Sequence, residues 1–235
     1  MQIDEKQLQQ RVLLLQINDS LFPIGSYAHS FGLETYIQRG IVKDTETAQA
    51  YIRSRLRLNF AYTDLLTARL SWEAADRGEF EKTQELEEIL EASRVPFELR
   101  EASKKLGSRF IKTLSHLHGG WEGERWSTFL ALVKGKACSQ PVAYGVCTAC
   151  AGITEQEAML HFLYSQASQM TTNCVKAIPI SQTDGQKILS GLWKEYADIL
   201  RNILSCPEEM LCMSTPAFDL RSMEHEELYS RLYMS

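Results

Sequence analysis

Apolar residues recur at steps of three and four along almost the whole chain. In QKILSGLWKEYADILRNILS, the positions Ile188, Leu189, Leu192, Trp193, Tyr196, Ile199, Leu200 and Ile203 fall on one helical face. Lys194, Glu195, Asp198, Arg201 and Asn202 fill the other, the pattern of an amphipathic helix. Thr183 with Gln186 three residues on predicts a capping box at its start. The preceding stretch repeats the device with Thr154 and Glu157, and its stripe runs through Met159, Phe162, Leu163, Ala167, Met170, Cys174 and Ile178. Pro179 limits it, because the residue before a proline resists helical dihedrals.

Further helices are predicted over 45–78, 80–93, 96–120, 124–138 and 141–152, with Gly78, Pro96 and the Gly119–Gly120 pair as punctuation. No segment sustains an alternation of period two, and no Asn-Gly or Asp-Gly hairpin joins two β-branched runs. The reading is an all-α, single-domain bundle of about eight to ten helices over 1–235. A tail at about 214–235 completes it.

Composition narrows the function classes. A chain of 235 residues with 44% hydrophobic residues can build a core without staples. The polar start MQIDEKQLQQ lacks a secretory pattern, so the six cysteines are expected as reduced thiols in a cytoplasm. A formal charge of −5 argues against nucleic acid as the main partner. No apolar run is long enough to cross a membrane.

The candidate chemistry is incomplete at each place it arises. Ser26, His29 and Glu34 crowd into LFPIGSYAHSFGLE and suggest a hydrolase triad, yet the G-x-S-x-G elbow is missing. His116, His118 and the cysteines, including the Cys147–Cys150 pair, offer metal ligands, so a direct metal carrier stays open as an alternative. No second C-x-x-C completes a four-ligand set. There is no phosphate-binding loop. The tail PAFDLRSMEHEELYSRLYMS is too apolar for solvent, carrying Phe218, Leu220, Met223, Leu228, Tyr229, Leu232 and Tyr233. It either packs back on its own domain or docks on another chain.

Five segments in order, LLLQINDSLFPIGSYAHSFGLE, REASKKLGSRFIKTL, PVAYG, VKAIPISQTDGQ and MSTPAFDLRSMEHEELYSRLYMS, together resemble the urease accessory protein family UreF. The resemblance implies an all-helical, non-enzymatic homodimer that needs no cofactor of its own. It implies binding to UreD (UreH in some species), recruitment of the GTPase UreG, and nickel insertion into apo-urease. Residue by residue, Tyr27, His29, Ser30 and Glu34 match the family's elbow motif, and Tyr229, Ser230, Arg231 and Leu232 its Y-S-R-L core. These are the implied partner-binding positions. The implied dimer surface lies on helices of the second half, with Tyr164 and the neighbourhood of Met170 as candidates.

Read as physics, the elbow is a shaped turn. Gly25 and Gly32 allow backbone that a β-carbon would penalise, Pro23 stiffens the entry, and Tyr27 suits an interface anchor. His29 reads as a hydrogen-bonded structural residue rather than a nickel contact, and Glu34 as a helix-start acid. Three positions depart from the family pattern. Ser181 replaces a frequent glycine, Glu224 a basic residue, and Met234 a frequent arginine. The last two remove positive charge from the tail.

Overall fold

The computed structural model describes residues 4–117, 123–213 and 215–235. Among the described residues twelve α-helical segments follow one another and no strand occurs. They are α1 (Glu5–Ile17), α2 (Leu33–Gln38), α3 (Thr45–Arg55), α4 (Leu66–Arg77), α5 (Phe80–Ser93) and α6 (Phe97–Leu114). The second half contains α7 (Glu124–Val133), α8 (Gln140–Cys150), α9 (Glu155–Ala177), α10 (Gln182–Gly191), α11 (Trp193–Ile203) and α12 (Pro216–Glu226). A π-helical stretch, Leu56–Leu65, joins α3 and α4 into one continuous element.

The all-α expectation holds, and its boundaries follow local chemistry. Thr154 caps α9 through its side chain, which accepts from the Glu157 amide. Gly78 ends α4 in the left-handed conformation. The start of α10 differs from the expectation at Thr183. Ser181 is the cap, in a reciprocal box with Asp184, because a serine hydroxyl two residues earlier reaches the free amides equally well. The helix over 183–203 is also divided at Leu192 into α10 and α11.

Helix α8 is the centre of the core, buried continuously from Pro141 to Ala149. Small residues permit this. A β-carbon on Gly145 would lie 2.1 Å from the Ala68 carbonyl oxygen of α4, and one on Gly107 of α6 would lie 2.1 Å from the Cys138 carbonyl oxygen. Five aromatic rings then run through the interior. Phe22 meets Phe110 at 5.6 Å, Phe110 meets Tyr144 at 6.1 Å, Tyr144 stacks on Phe162 at 4.5 Å, and Phe162 meets Phe60 at 5.4 Å. Phe22 sits at the entry of the elbow, so the elbow is anchored to the core at its first residues. Helix α12 closes the other side against α2 and α6.

Candidate functional site

The elbow between α1 and α2 turns on two glycines in the left-handed region, Gly25 at φ 83° and Gly32 at φ 82°. A β-carbon at Gly32 would press on Ser222 of α12, with its hydroxyl at 2.6 Å. Phe31 is also left-handed, at φ 54°, a costly conformation for an aromatic residue. Its reward is geometric. The amides of Ser30 and Phe31 both donate to the main-chain oxygen of Ser235, at 2.5 and 2.9 Å. Consecutive amides converging on one oxygen form a small nest of donors.

Residues 230–235 lie along this surface, each held by a partner outside the tail. Gln38 donates to the Ser230 carbonyl (3.0 Å). Arg231 pairs with Glu98 (2.5 Å). The amides of Leu232 and Tyr233 donate to the two oxygens of Glu34, at 2.5 and 3.2 Å. Met234 donates to the Ala28 carbonyl (2.8 Å). Ser235 receives a further bond from the Ser30 hydroxyl (2.6 Å), and its own Oγ lies 2.9 Å from His29 Nδ1. Successive side chains alternate as in a strand: Tyr233 and Ser235 point inward, while Leu232 and Met234 are 71% and 60% exposed.

Beneath the tail sits a buried polar relay. His225 of α12 is fully buried, with Nε2 3.0 Å from Glu34 and Nδ1 2.7 Å from Glu98. The Asn173 side-chain amide of α9 donates to the His29 carbonyl (2.9 Å), and the Asn173 main-chain carbonyl accepts from the Tyr233 hydroxyl (3.3 Å). Gln169 of α9 donates to the Ser26 carbonyl (2.5 Å). Burial, with Lys105 and Arg109 nearby, holds the His29 imidazole below its ordinary value. Burial likewise raises Tyr27 and Tyr233.

The structure thus brings His29, Ser30, Glu34, Arg231 and Leu232 into one junction. Ser230 is there through its carbonyl, and Tyr229 stands fully exposed at its edge. Tyr27 is half-buried beside it, with Lys176 5.1 Å from its ring centroid. Tyr164 lies elsewhere, on an exposed part of α9 with its ring 6.1 Å from that of Tyr196. Met170 is buried in the core.

His225, Glu98 and Asn173 are the residues that sequence reading missed. Their partners lie 60 or more positions away, as between Tyr233 and Asn173, so no local spacing could reveal them. Glu224, read as a lost positive charge, is instead engaged by Arg39 and Arg221, at 2.7 and 2.6 Å.

The arrangement offers little to a hydrolase. His29 Nδ1 faces Ser235, and Glu34 faces His225 and the tail amides. The pocket lined by Ser26 and Tyr27 has a volume of about 30 Å³, room for about one water. Metal chemistry fares similarly. No group of three His, Cys, Asp or Glu among the described residues is placed to hold an ion. The thiols are free, and burial pushes Cys150 up to about 11 and Cys174 up to about 12, which keeps both protonated near neutral pH. His116 is exposed with Nδ1 2.7 Å from the Lys112 carbonyl oxygen, and His118 lies outside the described residues. No helix among the described residues is long and apolar enough to cross a membrane.

The family model UreF matches residues 42–192. The chain is 34% identical over 224 residues to the urease accessory protein UreF of Actinobacillus pleuropneumoniae serotype 5b, covering 94% of this chain and 97% of that one. It is 35% identical over 227 residues to the protein of the same name from Haemophilus influenzae strain PittGG, covering 94% of each. With a family model spanning more than half its length and relatives matched nearly end to end, this all-helical chain belongs to the UreF family of urease accessory proteins.

Proposed function

We propose that the chain is a non-catalytic scaffold in urease maturation, acting as a cytoplasmic homodimer. It binds UreD (UreH), recruits the GTPase UreG and thereby promotes nickel insertion into apo-urease. Nickel and GTP are handled by those partners, and this chain needs no cofactor of its own. Family membership supports the accessory role, and six free thiols suit a reducing compartment.

The observation that carries the partner reading is the docked tail, whose outer edge presents Tyr229, Leu232 and Met234 to solvent. Exposed apolar side chains on an anchored segment lose little entropy on binding, which favours association. Tyr27 and Arg231 flank this edge, and His29, Ser30 and Glu34 underlie it. Tyr164, with the helix surface around Met170, is the proposed contact between the two copies.

The test is capture of purified UreD by the full chain and by a chain lacking Tyr229–Ser235. The truncated protein keeps its helical circular dichroism and loses capture. Capture at full strength without those residues would remove the tail from the interface.

A further inference from the structure

Helix α6 presents three cations in a line. Lys105, Arg109 and Lys112 stand at i, i+4 and i+7, all exposed, and so share one face over about 10 Å of helix. None of the three forms an ion pair among the described residues. Acids are nevertheless within reach of this helix: Lys104, one position away, pairs with Glu91 and with Glu101 (3.7 Å). Glu101 precedes Lys105 by four positions, yet it is engaged by Lys104 instead. Like charges at this spacing repel and cost the helix stability. The helix dipole offsets that cost at Lys112, in the last turn, but Lys105 lies more than two turns from the end.

The elbow joins this face. Arg109 donates to the Ile24 carbonyl (3.4 Å), and a β-carbon on Gly25 would collide with its Nη1, so the left-handed glycine leaves the space that this guanidinium occupies. Phe22 packs on Phe110 of α6, and Leu21 just before it is 87% exposed. After burial, which is the larger cause, Lys105 and Arg109 help to hold the His29 imidazole low, so their field reaches the elbow.

We propose that the Lys105–Arg109–Lys112 face of α6 is a docking track for an acidic protein segment whose carboxylates meet the three cations, with Leu21 of the adjoining elbow as an apolar anchor. A protein segment suits it better than nucleic acid. Three charges over two helical turns match a few carboxylates, while a chain of net charge −5 repels a long polyanion. Exposed cations of this kind speed association and select the partner. Because Arg109 ties the track to the elbow, the acidic segment is assigned to UreD, and that assignment alone rests on the reading of the elbow as part of the UreD contact.

The first probe is a polyglutamate peptide, titrated by calorimetry at low salt against the full-length chain. Wild type is compared with Lys105→Gln/Lys112→Gln and with Lys134→Gln/Lys136→Gln, which neutralises two exposed cations elsewhere. Loss of the two track lysines weakens binding about fivefold, high salt abolishes the difference, and the control pair changes nothing. No binding by wild type, or equal losses from both pairs of substitutions, overturns the proposal. So does tighter binding of a short duplex DNA that depends on the same two track lysines.

Capture of purified UreD then tests the assignment. A slower association with Lys105→Gln/Lys112→Gln than with wild type supports it. An unchanged rate, alongside weakened polyglutamate binding, leaves the track standing and removes UreD as its occupant. No capture even by wild type sinks the elbow reading, while the peptide result decides the track by itself.

Discussion

The α4–α8 core and the elbow–tail junction are both buried, yet they are held by opposite means. In the core, Gly145 lets α8 approach the Ala68 backbone, and rings from Phe22 to Phe60 fill the remaining space. Its stabilisation is apolar burial and close packing, which lack a single weak point. The junction is held by hydrogen bonds to Glu34, Glu98, His29 and Ser30, with Tyr233 as its main apolar filler. Bonds of that kind contribute about 1 kcal/mol each between neutral groups and about 1.5–3 kcal/mol each where a carboxylate accepts. A fold held in this way can keep its core intact while its tail detaches.

The sharpest way to break the contrast is in the core. Phe162→Ala, at 1% exposure and stacked on Tyr144, removes about 3–5 kcal/mol from global stability, read by denaturant unfolding. Gly145→Ala forces a methyl against the Ala68 carbonyl oxygen and costs about 1–3 kcal/mol in the same measurement. A loss near zero for either would mean that the core is as dispensable as the tail.

Ser30→Ala tests the other side of the comparison. It deletes one hydroxyl donor to the Ser235 oxygen and weakens tail docking by about 0.5–1.5 kcal/mol. Global unfolding is unchanged, while amide exchange at Met234 quickens. A matching fall in global stability would show that tail and core are one cooperative unit.

The smallest effect is expected from pH. His29 is held below its ordinary value by burial, with Lys105 and Arg109 acting in the same direction and Glu98 opposing them. Since the folded value is the lower one, the unfolded chain takes up the proton first. The contribution is fully present above about pH 6.5 and is lost as pH falls through that value toward the folded one. Tail protection should weaken on acidification in the wild type and weaken less in His29→Gln. Equal slopes in the two would remove His29 from this effect.

Much of the fold was legible because helices write their burial into the chain locally. The stripe Met159–Phe162–Leu163–Ala167–Met170 is buried as its spacing predicts, and α5 occupies the predicted 80–93. The cap of α10 was misplaced by two residues because Ser181 and Thr183 offer the same hydroxyl chemistry. Only the observed bonds to Asp184 decide between them. At the site, Gly25 and Gly32 announced the turns, since left-handed backbone favours glycine for steric reasons. Phe31 gave no such sign, because its left-handed conformation accompanies contact with the distant Ser235.

The sequence by itself determined an all-helical chain, about half of the helix limits, the elbow's two turns and the membership of a family. Each of these depends on residues close together along the chain or on matched motifs. Tertiary structure alone decided where the tail lies, that His225 bridges Glu34 and Glu98, and that Leu232 faces out while Tyr233 faces in. Those outcomes join positions up to 206 residues apart, as between His29 and Ser235. A hydrogen bond over that separation leaves no periodicity in the sequence to read.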